Sequence, residues 1–196
     1  MDARPTQLVQ FAQMGSIYME NVMGIRNPRV GLVNVGTEEE KGNALVKETF
    51  PLLKESENIH FIGNIEARDI PAGVADVIVC DAFVGNVILK MYEGVASVLL
   101  KEIKSSLMGS LTGKIGGMLI KGSLKEVLKK YDSSGNGGAA LLGLTGLVVK
   151  AHGNAKARDI RLAIDQCIRY QEQDLKSQFK DKMKLVDRTK KEQPSA

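Results

Sequence analysis

The sequence predicts an α/β protein with a mostly parallel sheet, and three observations carry that reading. Four short apolar runs, Arg29 to Gly36, Ile59 to Ile62, Val74 to Cys80 and Leu147 to Ala151, read as strands buried on both faces. Helices separate them, and strands alternating with helices pair in parallel. The loop after each run carries glycine with a small amide, or a histidine: Gly42-Asn43, Gly63-Asn64, Gly85-Asn86 and His152-Gly153-Asn154. Parallel strands bring such loops to one edge, outside the carboxyl ends, where ligands of open α/β sheets bind.

The elements follow in order. Thr6 is a candidate cap for a first helix with Leu8, Phe11, Ala12, Met19, Val22 and Met23 at helical spacing and Gly24 as its stop. A domain that opens directly on a helix is also what a truncated chain looks like. After Asn27-Pro28 comes the first strand, and Thr37 with Glu40 forms a capping box for a helix to about Glu55. The second strand stops at Gly63-Asn64, and the third stops at Asp81 and leads through Gly85-Asn86 into a long helix. After the fourth strand, Asn154 is placed to cap a helix from Ala155 to about Asp174.

Composition narrows the function classes. The 196 residues are 43% hydrophobic and 26% charged, with a net charge of +4 and no tryptophan. Seven basic residues fall between Lys176 and Lys191, diluted by Asp181, Asp187 and Glu192, which reads as a solvated, flexible basic tail over 176–196. A basic face interleaved with aromatics is not visible, so no nucleic-acid partner is expected. Cys80 and Cys167 lie far apart in apolar contexts and read as buried, reduced thiols. With only His60 and His152, no metal ligand set is expected, and no cofactor either. The longest uncharged run, Ser133 to Val149, holds five glycines and does not read as a membrane span. The opening residues do not read as a signal peptide, so a cytoplasmic protein is expected.

The strand-end loops suit a phosphate-like anion. In Asp81-Ala82-Phe83-Val84-Gly85-Asn86 the glycine admits a ligand to the backbone and the next helix offers free N–H groups; the plainer alternative is Asn86 as a helix cap. Asp81 repels an anion unless a cation such as Lys90 pairs with it. Lys41 and Asn43 can face a ligand, although Glu38, Glu39 and Glu40 are explained by a helix dipole alone. Arg68 has the planar donor fork that holds phosphate, against the alternative of a surface ion pair with its acidic neighbours. His152 stands beside glycine at a strand terminus. Gly135-Asn136-Gly137-Gly138 lacks both the P-loop lysine and the dinucleotide spacing, leaving a lid or a flexible turn.

Ile103 to Lys125 differs in kind: it holds no acid, four lysines (Lys104, Lys114, Lys121, Lys125), and Leu107, Leu111, Ile115, Met118 and Leu119 at helical spacing. Gly109, Gly113, Gly116 and Gly117 make it a poor autonomous helix. A cationic amphipathic segment suits the interface of an anionic membrane. The other reading is a helix packed on a dimer partner, which does not by itself require the missing acids.

These runs, together with Lys41-Gly42-Asn43, Phe61 to Asp69, Asp76 to Lys90 and Ala151-His152-Gly153, resemble the bacterial phosphate acyltransferase (PlsX) family from Asp2 to about Asp174. The resemblance implies a three-layer αβα sandwich similar to the isopropylmalate dehydrogenase group. It also implies a homodimer, with a projecting amphipathic hairpin at about 105–131 touching the inner face of the membrane through Leu107, Leu111, Lys114, Ile115, Met118, Leu119 and Lys121. The family's amino-terminal half has no counterpart here, so residues 1–175 read as the carboxy-terminal part of one domain.

The implied chemistry moves a fatty acyl group from acyl carrier protein to inorganic phosphate for phospholipid synthesis. Phosphate is itself the nucleophile and a thiolate leaves readily, so the protein need only position phosphate and stabilise an oxyanion. The expected catalytic residues are His152, Asn86 and Lys90, with Gly85, Asp81, Arg68, Asn64, Asn43 and Lys41 around the phosphate and acyl groups. Two further readings are a phosphotransacetylase-like enzyme using acyl-CoA and an inactive membrane-surface scaffold.

Overall fold

In the computed structural model of the protein, residues 2–130, 137–175 and 177–179 are described, without the side chains of 128–130. Tyr131, Gly135-Asn136 and nearly all of the expected 176–196 tail lie outside them.

β1 (Arg29–Asn34) is buried from Val30 onward because strands pair with it on both sides. β2 (His60–Glu66) and β3 (Val77–Val79) flank it in the order β2-β1-β3, both parallel to it. Val30 faces Val77 and Leu32 faces Val79 across the strands, so these four side chains share one face. α1 (Pro5–Asn21) and α2 (Ala44–Lys54) pack on that face, bringing Leu8, Val9, Ala12, Phe50 and Leu53 into one core with it. α1 comes close over β3: a Cβ on Gly15 would stand 2.5 Å from Val77 Cγ1. The opposite face carries Gly31 and Ile78, which are register partners, and Ile78 remains exposed. Among the described residues α1 and α2 are the helices that pack substantially on this sheet. The fold seen is therefore α/β with a parallel three-stranded sheet.

A bidentate ion pair sets the β1–β3 register. Arg29 Nε and Nη2 each donate to the Asp76 carboxylate at 3.0 Å, and Nη2 also reaches the Gly73 carbonyl at 2.9 Å. The backbones close the same ring, with Arg29 N–H on Asp76 Oδ2 and Asp76 N–H on the Arg29 carbonyl, both at 2.8 Å.

α3 (Ala82–Met108) leaves the sheet edge, turns at Gly109-Ser110 and packs on α4 (Leu111–Lys130). Ser110 Oγ caps α4 by accepting the Gly113 N–H at 2.9 Å, so the glycine-rich segment is helical despite its composition. No residue of α3 is buried. With a mean hydropathy of 1.4 over its best window, α3 is long and apolar enough to cross a membrane by length and composition alone. Lys90, Glu93, Lys101, Glu102 and Lys104 interrupt its apolar stretch, so it is not an uncharged run of the sequence. β4 (Ala139–Ala140) and β5 (Val149–Lys150) form a separate antiparallel pair, and α5 (Ala157–Glu172) packs on β5. Tyr170 ties α5 to α1 by donating its hydroxyl to that of Tyr18 at 3.0 Å, with the rings edge-on. Burial and this bond push the Tyr170 phenol well up from its ordinary value.

Several sequence expectations need correction. The fourth run does not join the parallel sheet, because its Val149-Lys150 pairs with Ala139-Ala140 across a short loop, which closes at low entropic cost. β2 does not stop at Gly63-Asn64 but runs through them to Glu66; a bulge takes up Ile62, with Gly63 at φ +98. α2 begins at Ala44, not after Thr37, because Gly42 (φ +102) turns the chain and Asn43 caps it. α1 starts on Pro5, whose fixed φ suits a first helical position, so Thr6 lies inside the helix. α3 starts at Ala82 under Asp81, which places Asn86 in its second turn, and α5 is capped at Lys156 instead of Asn154.

Arg29 holds the Asp76 carboxyl below the usual carboxylate range, chiefly through side-chain hydrogen bonds. A depressed folded pKa contributes stability above the unfolded value of about 3.9, lost as pH falls through the folded value. Asp76→Asn is expected to lower the melting temperature at neutral pH and to flatten its decline on acidification. Thermal melts from about pH 7 down to about pH 2 check this; a variant curve parallel to the parent's would count against it.

Candidate functional site

The carboxyl ends of β1 and β3 open into a cleft of about 400 Å³. Val35, Phe83, Val84, Val87 and Ile88 make an apolar wall, while Asn34, Asn43 and Asp81 supply its polar groups. The walls come from α3's first two turns, the polar end from the β1–α2 loop and the caps of α2 and α3.

Two buried asparagines hold that loop. Asn34, at the end of β1, donates Nδ2 to the Lys41 carbonyl at 3.0 Å and accepts the Val35 N–H at 2.8 Å. Asn64, on β2, donates Nδ2 to the Glu38 carbonyl at 3.0 Å, while its Oδ1 is buried without a partner among the described residues. Leu32 and Asn64 are register partners and Asn34 lies two residues beyond Leu32, so both asparagines point to the face carrying α1 and α2. Any Cβ at Gly42 would run into Asn34 Oδ1, so the loop closes down only with glycine there. The clamp delivers Asn43 to the start of α2, where its Oδ1 accepts the Val46 N–H at 3.0 Å. That leaves Asn43 Nδ2 as the donor available to an anion.

The residues expected from sequence scatter around this cleft. Asn43 and Asp81 line it. Asp81 does not orient Lys90: its carboxylate accepts the Val84 N–H at 2.8 Å. Because α3 begins at Ala82, Lys90 lies two turns in, about 12 Å along the axis. Asn86 and Lys90 stand beside the cleft wall, exposed. Gly85 is accounted for by packing, since a Cβ there would lie 3.1 Å from Cys80 Sγ. Lys41 and Arg68 each follow or precede a lining residue (Gly42, Ala67), and each is paired with carboxylates: Lys41 Nζ with Glu38 at 2.7 Å, Arg68 with Glu66 at 3.0 Å and Asp69 at 3.9 Å. Glu38 raises the Lys41 ammonium pKa above its ordinary value, chiefly by their hydrogen bond. His152 follows β5, exposed, outside the parallel sheet. Asn34, at the end of β1, and the Phe83-Val84-Val87-Ile88 wall are not among the residues expected from sequence; the wall's signal is the i, i+4 spacing at the start of α3, which the expected later start hides.

Cys80 is the cleft's thiol. Burial, and secondarily the Asp81 charge, push it up to about 11, so it is protonated at neutral pH. The thiolate is the nucleophile. Cys80 should therefore react with iodoacetamide at least about tenfold more slowly in the native protein than in denaturant at pH 7.5; peptide mass spectrometry reads the site, and equal rates in the two states would contradict the assignment.

The model of the family described as "Fatty acid synthesis protein" matches residues 1–178. The chain is similar to a phosphate acyltransferase of Clostridium novyi, 48% identical over 186 residues, covering 93% of this chain and 56% of that protein. A phosphate acyltransferase of Brevibacillus brevis is 50% identical over 175 residues, 89% of this chain and 52% of the relative. The Clostridium tetani phosphate acyltransferase is 46% identical over 186 residues, 95% and 55% of the two chains. The chain thus spans a little over half the length of the curated relatives it matches. With a match that runs from the first helix through α5, the chain belongs to the fatty acid synthesis protein family.

Proposed function

We propose that the protein takes part in transferring a fatty acyl group from acyl carrier protein to inorganic phosphate. The observation that carries this reading is the two-sided cleft: an apolar wall beside helix starts and amide donors, the pairing that an acyl thioester and an anion require together. The names of the curated relatives support it. A phosphate oxygen attacks the thioester carbonyl carbon, the C–S bond breaks, and the electron pair leaves on the carrier's thiolate, giving acyl phosphate. Asn43 Nδ2 and the free N–H groups at the start of α2 stabilise the oxyanion or phosphate. Asn34 and Asn64 position that loop. Lys41 and Arg68 neutralise phosphate by exchanging their present carboxylate partners for it, and the wall from Val35 to Ile88 receives the proximal part of the acyl chain. His152, Asn86 and Lys90 are kept as further donors to the phosphate or the thioester carbonyl, while Gly85 is set by its packing on Cys80 and Asp81 serves as α3's cap. No protein nucleophile is required, which suits a cleft whose thiol is held protonated.

The reading includes the finer fold and setting: a third layer that makes the sheet an αβα sandwich, a homodimer, and an enzyme of the cytoplasm at the inner membrane face. Leu111 and Leu119 support the last point, being 79% and 81% exposed on α4 among Ile115, Met118, Lys114 and Lys121. Leu107 is different: it is half-buried and close to Gly117, where a Cβ would stand 3.6 Å from it, so it holds α3 to α4.

The chain incubated with palmitoyl-acyl carrier protein and phosphate is expected to release free thiol and a hydroxylamine-trapped acyl phosphate, both dependent on phosphate. Asn43→Ala should lower the rate by about 10²-fold, the effect of losing one oxyanion donor. Consumption of palmitoyl-CoA in preference would favour a phosphotransacetylase-like enzyme, and vesicle binding without any turnover a scaffold. In sedimentation with vesicles containing phosphatidylglycerol, Leu111→Asp should reduce binding at least about threefold; equal binding of parent and variant would remove α4 from the membrane contact.

A further inference from the structure

The cap of α3 leaves one acceptor in the cleft unused. Asp81 lines the cleft half-buried, and its Oδ1 accepts the Val84 N–H at 2.8 Å. Its Oδ2 makes no hydrogen bond or ion pair among the described residues. Serine or asparagine would cap the helix as well without a charge, so capping alone does not call for a carboxylate. The other carboxylates beside the cleft are matched by cations: Glu38 by Lys41 at 2.7 Å, Glu66 and Asp69 by Arg68 at 3.0 and 3.9 Å. Asp81 has no such partner among the described residues, and its charge acts on the neighbouring Cys80 thiol, second to burial. Leu32 and Val79 are register partners, and Asn34 and Asp81 each lie two residues further on, so Asp81 stands at the same sheet edge as the asparagine clamp. An unmatched carboxylate there repels phosphate and suits a neutral N–H donor.

We propose that Asp81 Oδ2 accepts the amide N–H nearest the sulfur on the linker arm of the thioester donor, so that the cleft selects N-acylaminoethyl thioesters. The inference rests on the acyl-transfer reading above and adds the part of the donor that the reading leaves unassigned. In thioesters of carrier protein and of coenzyme A alike, that nitrogen is separated from the sulfur by a two-carbon spacer. Holding its N–H at the cap of α3 therefore fixes the sulfur beside the helix start. The acyl chain then runs along Phe83 and Val87, and phosphate is left the α2 start at Asn43, away from the carboxylate. Asp81 acts here as a binding and orienting residue, and no proton leaves it.

The test uses S-octyl-N-acetylcysteamine, a thioether that cannot react, and its N-methylated form, which lacks the N–H. In calorimetric titrations of the 196-residue chain at neutral pH, the N–H form is expected to bind at least about tenfold more tightly, the effect of one hydrogen bond to a charged group. In Asp81→Ser, which keeps a capping hydroxyl and removes the carboxylate, the ratio should fall to about one. Because each ratio compares two ligands on one protein, a general loss of stability in the variant does not imitate this result. Asp81→Ser should also lower kcat/KM for palmitoyl-acyl carrier protein and palmitoyl-CoA by the same factor, since the two share the arm; the larger parent value identifies the carrier. Equal binding of the two probes to the parent, binding of neither, a preference that survives Asp81→Ser, or a loss with one carrier alone would each overturn the proposal. A tenfold preference without phosphate-dependent cleavage of either thioester would leave the Asp81 contact standing and count against the acyl-transfer reading.

Discussion

The burial of β1 between two parallel strands is the constraint on which the rest of the structure depends. A strand buried on both edges must place its backbone bonds in neighbouring strands and its side chains in apolar layers. Val30 and Leu32 meet this demand on one face, under α1 and α2. At the carboxyl end the demand changes, because the chain must leave the sheet and its polar groups need partners. Asn34 meets it there: its amide spans the loop it has just begun, satisfying one carbonyl and one N–H. The same bonds that terminate the strand therefore build the polar end of the cleft.

The electrostatics of that cleft are governed by caps. The starts of α2 and α3 both face it, but they are not equivalent. Asn43 caps α2 with a neutral amide and keeps two N–H donors for a ligand, whereas Asp81 caps α3 with a carboxylate that already answers the helix dipole. An anion is consequently better accommodated at α2 and an apolar group along α3. Nearby cations are matched by carboxylates at Glu38, Glu66 and Asp69, so the charge offered to a ligand is redistributed and not simply added.

Apolar surface left outside this arrangement follows a pattern. It lies along α3 and α4, on the free side of α5, and at Ile78 of the sheet. Parallel sheets in α/β proteins are usually covered on both faces. The open apolar sides are where the third layer and the membrane contact proposed above would lie.

Much of the fold was legible in the residues themselves. Continuous apolar runs announced β1, β2 and β3 and helical spacing announced α1, since these periodicities reflect burial directly, while α2 and α5 were announced by capping residues. Element starts were less legible: Thr37, Asn86 and Asn154 all have good capping chemistry, but Gly42's turn, Asp81's carboxylate and Lys156's backbone bond to Asp159 outcompeted them. The candidate site was legible as a carboxyl-end location and through Asn43 and Asp81. The Asn34–Asn64 clamp and the Arg29–Asp76 ring were not, because each joins residues distant in the chain, as Arg29 and Asp76 are 47 positions apart, while the wall on α3 was hidden by the later helix start that the sequence suggests. By itself, then, the sequence determined an α/β chain, its strands and the residue types at their ends. Only the tertiary structure decided which ends meet: pairing geometry excluded the fourth run and His152 from the parallel sheet, and the helix start at Ala82 set which side chains face the cleft.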